Sequence, residues 1–236
     1  MLSFDEIARM TREQAVMVVG VRAWDIAHLT MLINQGIDTV PEPPAKPPSF
    51  FVSYRWESEA HQRWVARLVH DLKGRGYDVY FDQDVQTECH ETMPVLELVS
   101  LVLRCNRLLM VLTEGHLERI LPNAARGTLK DGWVWDEYQM AIHLAKIGRM
   151  KSWLVVRRSG ELPDWVSADQ VWDFRDDSRY KELLAEAFPQ QFVNVIGVRP
   201  DGSTRVAGPI ERVRLNEVGR QLEASEKFDH FLIEHL

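Results

Sequence analysis

Phe50-Phe51-Val52-Ser53-Tyr54, running on into Arg55-Trp56, is the stretch on which the fold turns. A short apolar and aromatic run of this kind predicts a strand. After it, Trp64, Val65, Leu68, Val69 and Leu72 share one face of an amphipathic helix over residues 57–73, and Gly74 and Gly76 stop that helix. Residues 77–81 predict a second strand. Residues 82–91 carry Asp82, Asp84, Glu88 and Glu91 and predict a polar loop. Thr92 suits a helix N-cap and Pro94 a first turn, so a helix is expected to about residue 104. Residues 108–112 form a continuous apolar run, the mark of a strand buried on both faces. Pro122, Asn123, Gly127 and Gly132 predict a loop over 122–132. A helix over 133–147, strands at 153–156 and 171–174, and a last helix over 178–188 complete the pattern.

Strands that alternate with helices imply a parallel sheet with helices on both faces. Right-handed crossovers place every strand C-terminus on one edge, and ligands bind at that edge. The exit of the first strand, Tyr54-Arg55-Trp56, lies there, as does the acidic loop that begins at Asp82.

Outward from this core, Pro41, Pro43, Pro44, Pro47 and Pro48 put five prolines in eight positions, which excludes helix and central strand. A stiff linker and a domain boundary are expected there. Before it, Ser3 with Glu6 and Thr11 with Gln14 have capping-box spacing. Ala15, Val18, Val19, Ala23, Ile26, Ala27, Thr30 and Ile33 then recur at helical steps, and Gly36 is a terminator. At the other end, Pro200-Asp201-Gly202 reads as a hairpin turn between 192–196 and 203–206, and 211–236 reads as helix. The expected organisation is an N-terminal helical segment at 1–38, a proline-rich linker at 39–49, the α/β domain at 50–188, and a C-terminal extension of hairpin plus helix at 189–236.

Composition narrows the function classes. The 236 residues are 45% hydrophobic and 27% charged, which is globular usage. With 28 basic against 35 acidic side chains the net charge is −7, which argues against non-specific nucleic-acid binding. Two cysteines, Cys89 and Cys105, specify no disulfide framework and fit a reducing, cytoplasmic compartment. The most apolar region, 95–112, is broken by Glu97, Arg104 and Arg107, so no membrane span is expected. There is no G-x-G-x-x-G after the first strand, no P-loop lysine and no G-x-S-x-G elbow. Cys89 and His90 are too few for a zinc site.

Three motifs remain: Ser53-Tyr54-Arg55-Trp56, the loop from Asp82 to Glu91, and Trp133-Val134-Trp135-Asp136-Glu137-Tyr138. Trp133 and Glu137 are four apart and share a helix face. A carboxylate near a helix N-terminus is also common merely as a partner of the helix dipole. In this order the motifs resemble the TIR domain family, and within it the NAD-cleaving branch known in bacteria. Phe51-Val52-Ser53-Tyr54-Arg55 is similar to the family's first box. Gly76 to Asp82 is similar to its second strand and the start of its BB loop, and Trp133 and Glu137 to its tryptophan and catalytic glutamate. Members often carry a glycine in the BB loop, whereas Gln83 to Glu91 has none, and Thr113 stands where serine is usual.

The resemblance implies a flavodoxin-like sheet of five parallel strands. It implies NAD as substrate, with no cofactor and no metal, and Glu137 as the catalytic carboxylate. Tyr54, Arg55, Trp56, Asp82 and Trp133 are the implied substrate-binding residues: Tyr54 or Trp56 to stack on a flat ring, Arg55 for phosphate or ribose, Asp82 for the pocket floor, Trp133 as a wall. It also implies self-association through TIR domains, and an immune or antiphage setting. A partner protein bound through the N-terminal helices or the C-terminal extension is a further expectation. Two alternatives stay open: a non-catalytic TIR interaction module, and a nucleoside-processing transferase of similar architecture.

Overall fold

A computed structural model describes residues 21–84, 94–120, 134–164, 166–225 and 227–236. The expected helix before residue 21, most of the loop 82–91, and Trp133 lie outside them. The chain runs α1 (Val21–Thr39), β1 (Ser49–Ser53), α2 (Glu59–Gly74), β2 (Asp78–Phe81), α3 (Pro94–Leu103), β3 (Arg107–Leu112) and α4 (Glu114–Ile120). It continues through α5 (Val134–Lys146), β4 (Ser152–Arg157), β5 (Val171–Asp173), α6 (Tyr180–Ala187), β6 (Phe192–Val198), β7 (Thr204–Glu211), α7 (Leu215–Ser225) and β8 (His230–His235).

The first five strands form one parallel sheet in the order β2-β1-β3-β4-β5. Alternation along each strand splits the core into two clusters. Phe51, Leu108, Met110 and Leu112 face one side, with residues of α1, α3, α4 and α5. Phe50, Val52, Leu109 and Val111 face the other, with residues of α2 and α6. This is why β1 and β3 read as unbroken apolar runs: neither face is left to solvent.

The helix ends follow local chemistry. Ser58 caps α2 by accepting the His61 backbone N–H at 3.1 Å. Gly76, at φ 86°, closes it, with the Gly76 N–H reaching Lys73 O at 3.0 Å and the Tyr77 N–H reaching Leu72 O at 3.2 Å. That left-handed position favours glycine.

Two expectations change. The proline stretch does not separate two bodies. Leu32 and Ile33 of α1 are buried in the same cluster as Leu98, Val99 and Leu103 of α3. Asn106 Nδ2 donates to Pro44 O at 2.8 Å, and Arg149 Nη2 donates to Val40 O at 2.9 Å. The proline segment runs past the residues that lead into β4 and β3 before it enters β1, while the apolar residues of α1 are covered by α3 and α5.

Nor is 211–236 one helix. After α7 the chain returns as β8 and pairs with β6, completing a three-stranded antiparallel sheet in the order β7-β6-β8. Phe231 and Ile233 alternate opposite Gly197 and Val195, and Phe228 fills the space over Gly197. Pairing with a strand distant in sequence overrides the weak local helical pattern. The Arg212 guanidinium ties this sheet to β2 by reaching both Asp78 oxygens, at 3.0 and 3.1 Å.

Candidate functional site

In the order 2-1-3-4-5 the chain reverses direction of winding between β1 and β3, so a crevice opens beyond the C-terminal ends of those two strands. Ser53 ends β1, Thr113 follows β3, and the first turn of α5 lies against β1.

On α5, Val134, Glu137, Ala141 and Leu144 recur at steps of three and four and all are buried. Glu137 thus occupies the apolar face of its own helix, with 3% of its surface exposed. Its Oε2 accepts from Ser53 Oγ at 2.6 Å. Burial pushes its carboxyl up to about 8, helped by Asp82 and Asp136 and opposed by the Ser53 hydrogen bond.

Ser53 Oγ also lies 3.2 Å from Nε2 of His116, the third residue of α4. His116 is fully buried, and its Nδ1 has no partner among the described residues. Burial, with the neighbouring His61, pulls its pKa down to about 3, so it is neutral across the physiological range. Thr113 starts α4 by accepting the His116 backbone N–H at 3.0 Å and donates its own hydroxyl proton to Glu57 Oε1 at 2.6 Å. A threonine hydroxyl serves here as a serine hydroxyl would.

Ser53, His116 and Glu137 are not a hydrolase triad. The acid meets the serine rather than the histidine, and Ser53 Oγ is enclosed.

The other expected residues spread along the same edge. Asp82 accepts the Trp56 indole N–H, while its Oδ1 is buried without a partner among the described residues; burial raises its carboxyl pKa. Residues 82–84 are helical rather than loop. Trp56 is 47% exposed and presents a ring to solvent. Tyr54 is 3% exposed, its ring in the core near Phe81 and His61 and its hydroxyl accepting from Gln83 Nε2 at 3.0 Å. Of these two rings, Trp56 is exposed and Tyr54 is buried. Arg55 pairs with Glu118 at 3.4 Å and passes over Gly115, where a Cβ would meet both the Arg55 guanidinium and the Glu57 carboxylate.

A family comparison decides what this edge belongs to. The family described as TIR domain matches residues 50–187, more than half of the chain.

The chain belongs to the TIR domain family.

Among solved structures, this TIR protein is similar to the crystal structure of a prokaryotic SEFIR domain, at 24% identity and a TM-score of 0.40. The match covers 58% of this chain and 95% of that one. No curated protein matches the chain. In this TIR domain the sequence motifs named Glu137, Asp82 and the β1 exit. The β1 motif contains Ser53 without giving it a role, Thr113 was noted only as standing where serine is usual, and no motif singled out Glu57, His61 or His116 as part of the site. The only available signal was position: Thr113 and His116 follow the buried strand β3 directly, on the ligand edge.

Proposed function

We propose that this TIR domain is an NAD glycohydrolase of the bacterial defence type, with Glu137 as its catalytic carboxylate. The observation that carries the reading is the carboxylate itself: buried on an apolar helix face, raised in pKa, and anchored by one hydroxyl at the switch point of the sheet.

The chemistry suits one carboxylate. The bond between ribose C1′ and the nicotinamide nitrogen breaks, and its electron pair leaves with nicotinamide, neutralising the pyridinium. No general acid is needed. The positive charge that develops on C1′ and the ring oxygen resembles that in glycoside hydrolysis, and ionised Glu137 stabilises it. Water then adds to C1′ and releases a proton, giving ADP-ribose; capture by an adenine nitrogen instead gives a cyclic product. Trp56 offers a face for a flat ring, and the Arg55 fork suits phosphate oxygens. Self-association of TIR domains is proposed to switch the activity on.

The test is release of nicotinamide from NAD by the purified chain, free and forced to oligomerise. Because free Glu137 must lose its proton first, kcat/KM is expected to rise with pH to a midpoint of about 8. Gly115→Ala is expected to push the Arg55 and Glu57 tips aside, raising KM for NAD severalfold while Tm stays within about 2 °C. A KM equal to wild type would remove Arg55 from the substrate site.

A second reading rests on the same burial. A carboxyl 3% exposed and bonded to β1 also serves to fasten α5 to the sheet, as a non-catalytic TIR signalling module would use it. Absence of turnover in the assembled state, with partner binding retained, selects that reading.

A further inference from the structure

We propose that His116, acting through Ser53, is the positioning residue that sets the charge and orientation of Glu137. The significance for catalysis rests on the reading of Glu137 as the acting carboxylate; the hydrogen-bond chain stands without it.

Ser53 Oγ carries one proton and has two neighbours, Glu137 Oε2 at 2.6 Å and His116 Nε2 at 3.2 Å. The direction of that proton depends on the histidine tautomer. His116 Nδ1 is buried and meets no partner among the described residues. A buried N–H without an acceptor is rarer than a buried lone pair without a donor. The single ring proton therefore belongs on Nε2. His116 Nε2–H donates to Ser53 Oγ, and among the described residues Ser53 has Glu137 left to donate to. The chain runs one way, from neutral imidazole through hydroxyl to carboxylate.

The surroundings keep it so. His61, from α2, sits near enough to oppose a charge on His116, and burial does the rest. Glu57 is held by the Thr113 hydroxyl, and Arg55 lies against Gly115 and Glu118. On the Glu137 side, Asp82 and Asp136 oppose ionisation, and the Ser53 bond is the favourable contact that offsets them. His116 itself does not titrate near neutral pH, so it acts as a constant donor. Fixing Oε2 leaves Oε1 to meet a ribose hydroxyl.

The experiment uses the full chain with 13C-carboxyl glutamate and 15N-histidine. The carboxyl resonance lost in Glu137→Gln identifies Glu137, and its titration is followed by NMR. The wild-type midpoint is expected at about 8. In Ser53→Ala and His116→Leu it is expected to rise by about one pH unit. His116→Gln, whose amide N–H reaches the same place, is expected to return it to the wild-type value. In the wild type above pH 8, the 15N coupling pattern of His116 is expected to show the proton on Nε2. A proton on Nδ1 overturns the proposal without recourse to any variant, as does a His116→Leu midpoint equal to wild type. The pH midpoint of nicotinamide release is expected to shift in step with the carboxyl midpoint. If the carboxyl midpoint shifts and no nicotinamide is released by any variant, the positioning role stands and the enzymatic reading falls.

Discussion

Glu137→Gln is expected to lower nicotinamide release from NAD at least about a hundredfold, the typical cost of removing one preorganised charge-stabilising group. The amide keeps the shape of the carboxyl but carries no charge for the oxocarbenium-like centre. Loss of rate without loss of fold is the expected result, and stability supplies the control. The Glu137 carboxyl has a pKa of about 8 in the folded chain against 4.5 for an ordinary glutamate. Between those values the folded state binds more protons than the unfolded one, so stability falls as pH rises through that window. The contribution is fully present below about pH 4.5 and lost above about pH 8. The substituted amide does not titrate. The variant is therefore expected to match wild type near pH 4.5 and to exceed it at pH 8.5 by a few kcal/mol. Melting curves at the two pH values check this. A variant that melts with the wild type at pH 8.5 would show that Glu137 is not a buried acid, whatever its effect on turnover.

Ile33→Asp is expected to lower the melting temperature by roughly 10 °C or more, or to abolish folding. The residue lies in helix α1, ahead of the prolines and outside the 50–188 segment that the motifs cover, yet it is 2% exposed. A charge placed there loses the apolar contact with α3 and must be desolvated, at a cost of about 4 kcal/mol or more. Gly36 marks how close the packing is, since a Cβ there would collide with Leu103 Cδ1. Ile33→Val, which removes one methylene, is expected to cost only about 1 kcal/mol and to keep a single cooperative transition. Unchanged melting in Ile33→Asp would make α1 an independent appendage.

The contrast between these two residues shows what kind of information each reading used. Glu137 was legible in the chain through its motif. It stands four positions after Trp133, and that pair is similar to the family's tryptophan and catalytic glutamate. That is a local signal. Ile33 was legible as part of an apolar stripe, but its partner was not, because a stripe says only that something must cover it. The five parallel strands were legible because each carries its pattern within a few residues. The last strand, β8, was not, because it becomes a strand only through pairing with β6, which lies far back in the chain.

The site divides in the same way. Residues on one strand or one helix turn, Tyr54-Arg55-Trp56 and Glu137, were visible as motifs. His116 was not, since a lone histidine in a short helix carries no pattern. Its place beside Ser53 arises from the crossover that brings β3 beside β1 and sets α4 against α5. By itself the sequence determined the parallel α/β core, the edge formed by its strand C-termini and the carboxylate that lies there, because periodicity and motif spacing are properties of neighbours along the chain. Only the tertiary structure decided which hydroxyl holds that carboxylate, which imidazole stands behind it and what covers α1. Hydrogen bonds across 63 and 84 residues depend on where the backbone returns, and no local pattern encodes that.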